Sequence, residues 1–211
     1  MDKEKSQHIM NACLRLFLRY GVKSVTMDDI SRELGMSKKT LYIYFKDKND
    51  LVLKVLHGFL SHHKCEMNTI VHHHKNAIDQ LLAIYEMNAK DLQEVKPMLL
   101  FGLKKYYPEA WTVYEEFKRN YLPSCVEDNI KEGIEQGLYR STVNPRIISL
   151  AYTGMINLIF DSDIFSDKEF DFNQLYLELF YYHIRGIASE KGIAYLNKKI
   201  DENTYKRTEN L

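Results

Sequence analysis

Basic and hydroxyl-bearing side chains concentrate in one short stretch near the N-terminus, residues 37–48. The stretch holds four lysines together with serine, threonine and tyrosine hydroxyls: Ser37, Lys38, Lys39, Thr40, Tyr42, Tyr44, Lys46 and Lys48. Lysine donates hydrogen bonds to guanine O6 and N7 or to phosphate, threonine contacts the thymine methyl group, and serine and tyrosine hydroxyls bind phosphate oxygens. As an ordered set these side chains suit contact with double-stranded DNA, although each one alone fits an ordinary solvated helix equally well.

A second group of residues predicts a short helix just before this stretch. Thr26 fits its N-cap, because the threonine hydroxyl can accept from the backbone N–H of Asp29 while the Asp29 carboxylate reaches back. Ile30 and Leu34 follow at helical spacing. Gly35 fits the end of the helix, because glycine adopts the left-handed conformation without a steric penalty.

The basic stretch itself predicts a second short helix. Ser37 fits its N-cap, and Leu41 and Phe45 form an inward stripe that leaves the lysine and hydroxyl side chains facing out. Two short helices joined by a glycine-containing turn predict a helix-turn-helix, whose second helix enters the major groove of DNA.

Residues 37–48 (SKKTLYIYFKDK) resemble the signature of the TetR family of bacterial transcriptional regulators. Residues 26–35 are similar to the preceding helix of that family, and the turn at Gly21 after a first amphipathic helix matches as well. Many members carry a small residue before the Thr-Leu-Tyr triplet, where this chain has Lys39, which adds a charge at the DNA surface.

The resemblance implies a role for each polar residue of the two helices. It implies phosphate contacts by Thr26, Ser37, Tyr42 and Lys48, positions near base edges for Lys38, Lys39, Thr40 and Tyr44, and a position at the rim for Lys46. It also implies a homodimer that binds a (pseudo)palindromic operator and carries a ligand-binding domain.

The rest of the sequence predicts an all-α protein. Only nine glycines and four prolines interrupt the chain, and amphipathic helical runs replace strand-like alternation. We expect an N-terminal three-helix helix-turn-helix head (residues 1–48), joined by a continuous helix from Asp47 to a helical ligand-binding and dimerisation body (residues 49–200), and then a polar C-terminal tail (residues 201–211). Because that helix is shared, a ligand in the body is expected to tilt it and change the separation of two heads.

Capping residues and helix-breaking residues in the body predict its further helices. These are residues 76–93, 95–107, 108–136 with a kink or break at Pro123, 147–160 and 175–187, with a capping box at 166–169 and fraying past Asn197.

Charge and composition indicate a globular, cytoplasmic, nucleoid-associated protein. Residues 1–57 carry 11 basic and 7 acidic side chains, whereas the chain as a whole has a net charge of zero, so a basic end is joined to an acidic body. Three scattered cysteines show no disulfide or metal spacing, and Cys13 lies in the apolar stripe of the first helix. The charged N-terminus does not resemble a signal peptide, and no apolar run is long enough for a membrane span.

Two late segments are apolar on more than one face. They are residues 147–160 (IISLAYTGMINLIF) and 175–187 (LYLELFYYHIRGI). A surface helix of a monomer needs only one apolar stripe, so we expect both to pair with their copies in an isologous four-helix bundle; a large monomer core is the alternative. The predicted interface residues are Ile147, Ala151, Gly154, Leu158, Tyr176, Phe180, His183 and Ile187.

Aromatic residues concentrate in the body, where they fit either a core or a small-molecule pocket. Because the resemblance implies a ligand-binding domain, the predicted lining is Tyr85, Phe101, Tyr106, Trp111, Tyr114, Phe117 and Met155. A bulky apolar or aromatic effector is favoured, since no charged cluster lies in the apolar helices.

Histidines cluster at His57, His62 and His63, and again at residues 72–74. Adjacent histidines on one helix point about 100° apart and do not converge on a metal ion, so a solvated face is expected. No cofactor, metal site or enzyme signature is predicted. The favoured function is a ligand-responsive repressor; the alternatives are a DNA-bound structural or adaptor protein with protein partners and a metal-sensing regulator that uses the histidine-rich region.

Overall fold

The protein is described here by a computed structural model that covers residues 3–94, 97–159 and 172–208. The described residues are almost entirely helical, and their one β-feature is an isolated antiparallel bridge between Tyr139 and Ala188. The all-α prediction is therefore confirmed. The helices in chain order are α1 (Lys3–Tyr20), α2 (Met27–Glu33), α3 (Lys38–Tyr44), α4 (Lys48–His73), α5 (Ala77–Glu94), α6 (Pro97–Tyr106), α7 (Pro108–Glu116), a π-helical turn (Phe117–Tyr121), α8 (Leu122–Glu135), α9 (Pro145–Ile159), α10 (Phe172–Ile187) and α11 (Glu190–Thr208).

The chain forms two compact units, and each unit consists of two separate segments of the sequence. The first unit takes residues 1–67 and 90–119, and the second takes residues 68–89 and 120–211. This division differs from the sequence-based domains, because α6 and α7 join the helix-turn-helix rather than the body. Helix α4 contributes residues to both units.

The core of the first unit is built from the inward stripes of its short helices. Ile9 and Phe17 of α1 pack with Leu41 of α3 and Leu51 of α4, and Leu103 of α6 belongs to the same buried cluster. Cys13 is fully buried in this cluster, and burial raises the pKa of its thiol to about 12, as its place in the apolar stripe predicts. Helices α6 and α7 therefore contribute to the core that supports the helix-turn-helix.

The second unit has an apolar core crossed by a buried polar network. Asn129 of α8 donates from Nδ2 to the carbonyl of Ala77 at 2.9 Å and to Gln80 Oε1 at 3.1 Å. Tyr139 donates its hydroxyl hydrogen to Asn129 Oδ1 at 3.2 Å, and Gln80 Nε2 donates to the Glu132 carboxylate. The network satisfies polar groups that burial would otherwise leave unpaired, and it ties the start of α5 to α8.

Several predicted helix boundaries need correction. Residues 108–136 form two α-helices joined by the π-helical turn Phe117–Tyr121, which directly precedes the first turn of α8, where Pro123 lies. Helix α11 continues to Thr208, so the polar residues past Asn197 are helical through that point. The predicted capping box at residues 166–169 lies outside the described residues.

Candidate nucleic-acid interface

Helix α2 begins with the capping box that the sequence predicts. The Asp29 amide donates to Thr26 Oγ1 at 3.2 Å, and the Thr26 amide and hydroxyl donate to Asp29 Oδ2 at 2.9 and 2.6 Å. These bonds hold the pKa of Asp29 below its usual value, and the bond from the Thr26 hydroxyl has the larger effect. Gly35 has φ +60°, in the left-handed region, so it permits the tight turn into α3.

Helix α3 has its predicted cap and inward stripe. Ser37 Oγ accepts from the Thr40 amide at 3.1 Å and lies 2.9 Å from the Thr40 hydroxyl. Leu41 and Phe45 are buried in the core of the first unit. Their burial fixes the rotation of α3, so the opposite side of the helix faces solvent.

The exposed face of α3 combines charge, a phenol and one aliphatic side chain. Lys38, Lys39, Tyr42 and Lys46 are exposed, as predicted. Ile43 is 64% exposed and was not among the predicted contacts. It follows Lys39 by four positions, which places it on the same helical face and could have identified it. An exposed isoleucine there is suited to apolar contact with a thymine methyl group.

Lys38 is not an isolated charge. Its ammonium lies 2.5 Å from Asp28 Oδ1 of α2, and both side chains are about half exposed. Asp28 was not among the residues identified from the sequence. In the fold it places a carboxylate at the N-terminal end of α3.

Lys48 and Tyr44 are less accessible than predicted. Lys48 Nζ donates to the carbonyl of Lys23 at 3.1 Å and lies 5.5 Å from the centre of the Tyr107 ring. Burial lowers the pKa of Lys48, and the charge of Asp29 partly opposes that shift. Tyr44 is half-buried, with its ring 6.5 Å from that of Phe45. Lys48 therefore links the start of α4 to the α1–α2 loop.

Five of the seven predicted effector contacts belong to the first unit. Phe101 is 59% exposed on α6, and the hydroxyl of Tyr106 accepts from Lys23 Nζ at 2.8 Å, so neither lines an enclosed cavity within this unit. Trp111 packs against the core of the unit, and burial raises the pKa of Tyr114 to about 12. Phe117 makes an edge-to-face contact with His63 at 5.7 Å.

The other two predicted effector contacts belong to the second unit. The Tyr85 ring stacks on Tyr176 at 5.1 Å and contacts Phe180 at 4.6 Å. Met155 on α9 is half-buried. The predicted set is therefore divided between two units and does not form a single lining within either.

The predicted α9 side of the dimer interface is exposed. Ile147 is 62% exposed, and Ala151, Gly154 and Leu158 lie open on the same face. Leu150 is also exposed there and was missed. Together these residues form an apolar stripe at helical spacing, which we call the α9 stripe.

The predicted α10 side of the dimer interface is wrong. Tyr176, Phe180, His183 and Ile187 are buried within the same chain. Helix α10 turns this face toward its own unit, where Phe180 and Ile187 join the apolar core cluster. The large side chain that α10 does expose is Tyr182, at 71%.

The described residues hold neither a metal-binding cluster nor a membrane-spanning helix. No group of three or more His, Cys, Asp or Glu side chains is placed there to hold a metal ion. None of the described helices combines the length and apolar character needed to cross a membrane.

Comparison with known proteins gives consistent results. Residues 9–55 match the family described as "Bacterial regulatory proteins, tetR family". The HTH-type regulator YvaF of Bacillus subtilis is 29% identical over 77% of this chain and 83% of its own length. The regulator AcrR of Shigella flexneri is 25% identical over 80% of this chain and 82% of its own length.

Solved structures share the fold. A transcriptional regulator from Saccharomonospora viridis, crystallised in complex with choline, has a TM-score of 0.75 at 18% identity and covers 90% of this chain and 100% of its own. A TetR-family regulator from Agrobacterium tumefaciens has a TM-score of 0.71 at 16% identity and covers 89% of this chain and 99% of its own. At these identities the likeness concerns the fold alone.

Proposed function

Because this chain belongs to the TetR/AcrR family of bacterial transcriptional regulators, we propose that it is a ligand-responsive repressor that binds a (pseudo)palindromic operator as a homodimer in the cytoplasm, at the nucleoid. A small, mostly apolar effector releases it from DNA. The observation that carries this proposal is the exposed face of α3, on which Lys38, Lys39 and Tyr42 project, with Lys46 exposed just beyond the helix. Leu41 and Phe45 are buried on the opposite side and hold the helix in place.

We assign recognition of the DNA sequence to the exposed residues of α3. Lys38 is paired with Asp28, whereas no ion pair of Lys39 is found among the described residues, so we assign the Lys39 ammonium to a guanine edge. Ile43 supplies an apolar contact for thymine. Lys46, two residues beyond the end of α3, is the side chain that we assign to phosphate.

Dimerisation belongs to the α9 stripe. Ile147, Leu150 and Leu158 present apolar area to solvent, and Gly154 has open space where a Cβ would lie. A second copy of the stripe would bury this area across a two-fold axis. Two heads held in this way would enter successive major grooves about 34–36 Å apart, which is why we expect an operator with inverted half-sites.

The effector response is proposed to reach the head by two routes. Helix α4 is one continuous helix that carries residues of both units, so its tilt would alter the head separation. Helix α6 is joined directly to the head, since Tyr106 accepts from Lys23, whose carbonyl accepts from Lys48. A Cβ at Gly102 would lie only 3.0 Å from Val22 Cγ1, so a shift of α6 would displace the α1–α2 loop. Useful coupling requires only about 1–3 kcal/mol.

A small-molecule effector is supported by the family and by one neighbour. The regulator from Saccharomonospora viridis was solved in complex with choline. For the present chain we propose a small molecule held in the helical body, of the class argued in the next subsection.

A direct test compares Lys39→Ala with Lys198→Ala, a lysine on α11, on duplexes from the protein's own promoter region. If Lys39 reads a guanine, Lys39→Ala costs about 1–3 kcal/mol on the preferred site and relaxes selectivity at one base pair. Lys198→Ala should bind as the wild type does. Fluorescence anisotropy over a series of single-base variants measures both effects. No binding by the wild type to any such duplex, or an equal loss on every variant for Lys39→Ala, would contradict this assignment.

A further inference from the structure

Among the residues that the structure describes, two buried polar atoms of α10 have no hydrogen-bond partner. They are Asn173 Oδ1 and His183 Nε2. Both residues lie on the inward stripe of α10, which also carries Tyr176 and Phe180 at alternating spacings of three and four residues. His183 is only 4% exposed, so solvent does not satisfy its ring nitrogen.

An unpaired buried nitrogen calls for an explanation, because such groups cost free energy and folded proteins leave few of them. The His183 ring is fixed by a parallel stack on Tyr152 of α9, with ring centres 3.8 Å apart and planes 16° apart. Because the lone pair or hydrogen of Nε2 lies in the plane of the ring, a hydrogen-bond partner must approach at the ring edge. Burial lowers the pKa of His183 to about 4, so the imidazole is neutral near pH 7.

The described side chains around this nitrogen are aromatic. Tyr85 of α5 stacks on Tyr176 and contacts Phe180, and Asn88 Nδ2 donates to the Tyr176 hydroxyl at 3.2 Å. Burial raises the pKa of Tyr176 to about 12 and that of Tyr152 well above its usual value, with neighbouring phenols adding to the second shift. These phenols therefore remain protonated under ordinary conditions.

We propose that this cluster, formed by Tyr85, Tyr152, Tyr176, Phe180 and His183, is an effector site for a small uncharged aromatic alcohol, whose hydroxyl hydrogen-bonds His183 Nε2. The assignment deepens the proposed function and rests on it only for the consequence at DNA; binding itself can be measured without DNA.

The hydroxyl group of the proposed effector is inferred from the hydrogen-bonding chemistry of the imidazole. A neutral imidazole nitrogen is a donor in one tautomer and an acceptor in the other, and a hydroxyl group serves either because it both donates and accepts. A flat ring follows from the neighbours, because aromatic side chains pack best against other rings in stacked or edge-to-face geometry.

A cationic effector is disfavoured by the same residues. A buried cation requires a paired anion, and burying it without one is costly. The carboxylate that acts on the nearby Tyr139 is Glu132, and it already accepts from Gln80 and from Gln136 Nε2 at 2.8 Å. Glu178 of α10 is exposed, on a different side of the helix from His183.

The test uses three probes on the full-length protein: phenol, toluene and tetramethylammonium chloride. Phenol and toluene are both small monosubstituted benzenes that differ in the hydroxyl group, and tetramethylammonium represents the cationic class. Binding is measured by isothermal titration and by thermal shift on the wild type, on His183→Phe and on Tyr182→Phe. Tyr182 is 71% exposed on the same helix and provides the matched control.

The expected result is that the wild type and Tyr182→Phe bind phenol roughly five- to tenfold more tightly than toluene, which is the worth of one satisfied buried hydrogen bond. His183→Phe should bind the two probes equally. If His183→Phe fails to fold, wild-type protein labelled with ¹⁵N-histidine decides the matter, because phenol and not toluene should shift the Nε2 resonance of His183.

Three results would overturn the proposal. They are equal binding of phenol and toluene by the wild type, tighter binding of tetramethylammonium than of phenol, and binding of no probe at all, which would leave a buried water as the partner of His183. Operator binding by the untreated protein is independent of all three, so failure of the effector site and failure of the DNA-binding function are distinguishable.

Discussion

Lys38 of the recognition helix and Asp28 of α2 form an ion pair at 2.5 Å, so one of the cations expected at the base edges is already engaged in the free protein. The pair lies at the N-terminal end of α3, where recognition helices contact base edges. On the proposed DNA-binding face, the pair puts a negative charge where phosphate would approach. We infer that Asp28 weakens sequence-independent binding to DNA, because nonspecific affinity depends mainly on the neutralisation of phosphate charge.

Asp28→Asn is therefore expected to tighten binding to all duplexes by a similar factor. Freeing Lys38 for one additional phosphate contact steepens the dependence of log K on log salt by about 0.9. Anisotropy titrations at several salt concentrations, on operator and on random duplexes, measure the change. Asp128→Asn is the matched control, since Asp128 is exposed on α8 of the other unit, and its salt dependence should equal that of the wild type. A gain confined to the operator would instead assign Asp28 to base reading.

Ser37 has two possible roles that can be separated. Its hydroxyl caps α3 by accepting from the Thr40 amide, and the family resemblance assigns it a phosphate contact. Ser37→Ala should lower the free energy of unfolding by about 1 kcal/mol, whereas Ser37→Gly should cost only a few tenths. Urea unfolding followed by circular dichroism measures both.

Operator affinity then completes the separation of the two roles. If the phosphate contact is real, Ser37→Gly loses operator affinity even though its stability is nearly that of the wild type. Wild-type affinity in Ser37→Gly would leave capping as the role of Ser37.

The α9 stripe predicts a sharp effect on assembly. Ile147→Glu removes one apolar side chain from each side of a two-fold interface and introduces two charges there. The dissociation constant of the dimer should therefore rise by at least about 100-fold. Sedimentation velocity over a concentration series measures it. Val71→Glu is the control, because Val71 is an exposed aliphatic residue of α4, outside the stripe. Equal sedimentation of the two variants would exclude the stripe as the dimer interface.

His183 predicts a pH dependence of stability. Its folded pKa is about 4, below the usual 6.5, so as the pH falls below 6.5 the unfolded chain takes up a proton that the folded chain does not. The folded state should therefore lose stability as the pH falls from about 6.5 to 4. Between pH 7.5 and pH 5 this residue should account for about 2 kcal/mol.

Urea unfolding of the wild type and of His183→Phe tests this dependence. The difference between the two free energies of unfolding should change by that amount across the pH range, because phenylalanine does not titrate. His72→Phe, at an exposed position of α4, should follow the wild type. A constant difference between the wild type and His183→Phe would show that the imidazole titrates normally in the folded protein.

Local features of the head could be predicted from the sequence because they depend on residues three or four positions apart. The bonds between Thr26 and Asp29, and between Ser37 and Thr40, are of this kind. The inward position of Leu41 followed from spacing alone, and its burial is confirmed.

Features that depend on distant packing could not be predicted. Helix α10 has more than one apolar face, and spacing does not decide which face turns inward, so Phe180 and His183 were placed at a partner although they lie in the core of their own unit. Lys48 bonds a carbonyl 25 residues away, and Tyr106 bonds Lys23 across 83 residues. Helical periodicity in the sequence does not indicate either contact, because the two partners are far apart along the chain.

Selection from a library of random DNA duplexes, with the wild type and Lys39→Ala compared side by side, tests the central claim most directly. The account predicts that the wild type enriches an inverted repeat whose half-site centres are about 10–10.5 base pairs, or a multiple of this, apart. Lys39→Ala should enrich the same repeat with one position relaxed symmetrically in both halves. Enrichment of no sequence, or of an asymmetric single site by a monomeric protein, would contradict it.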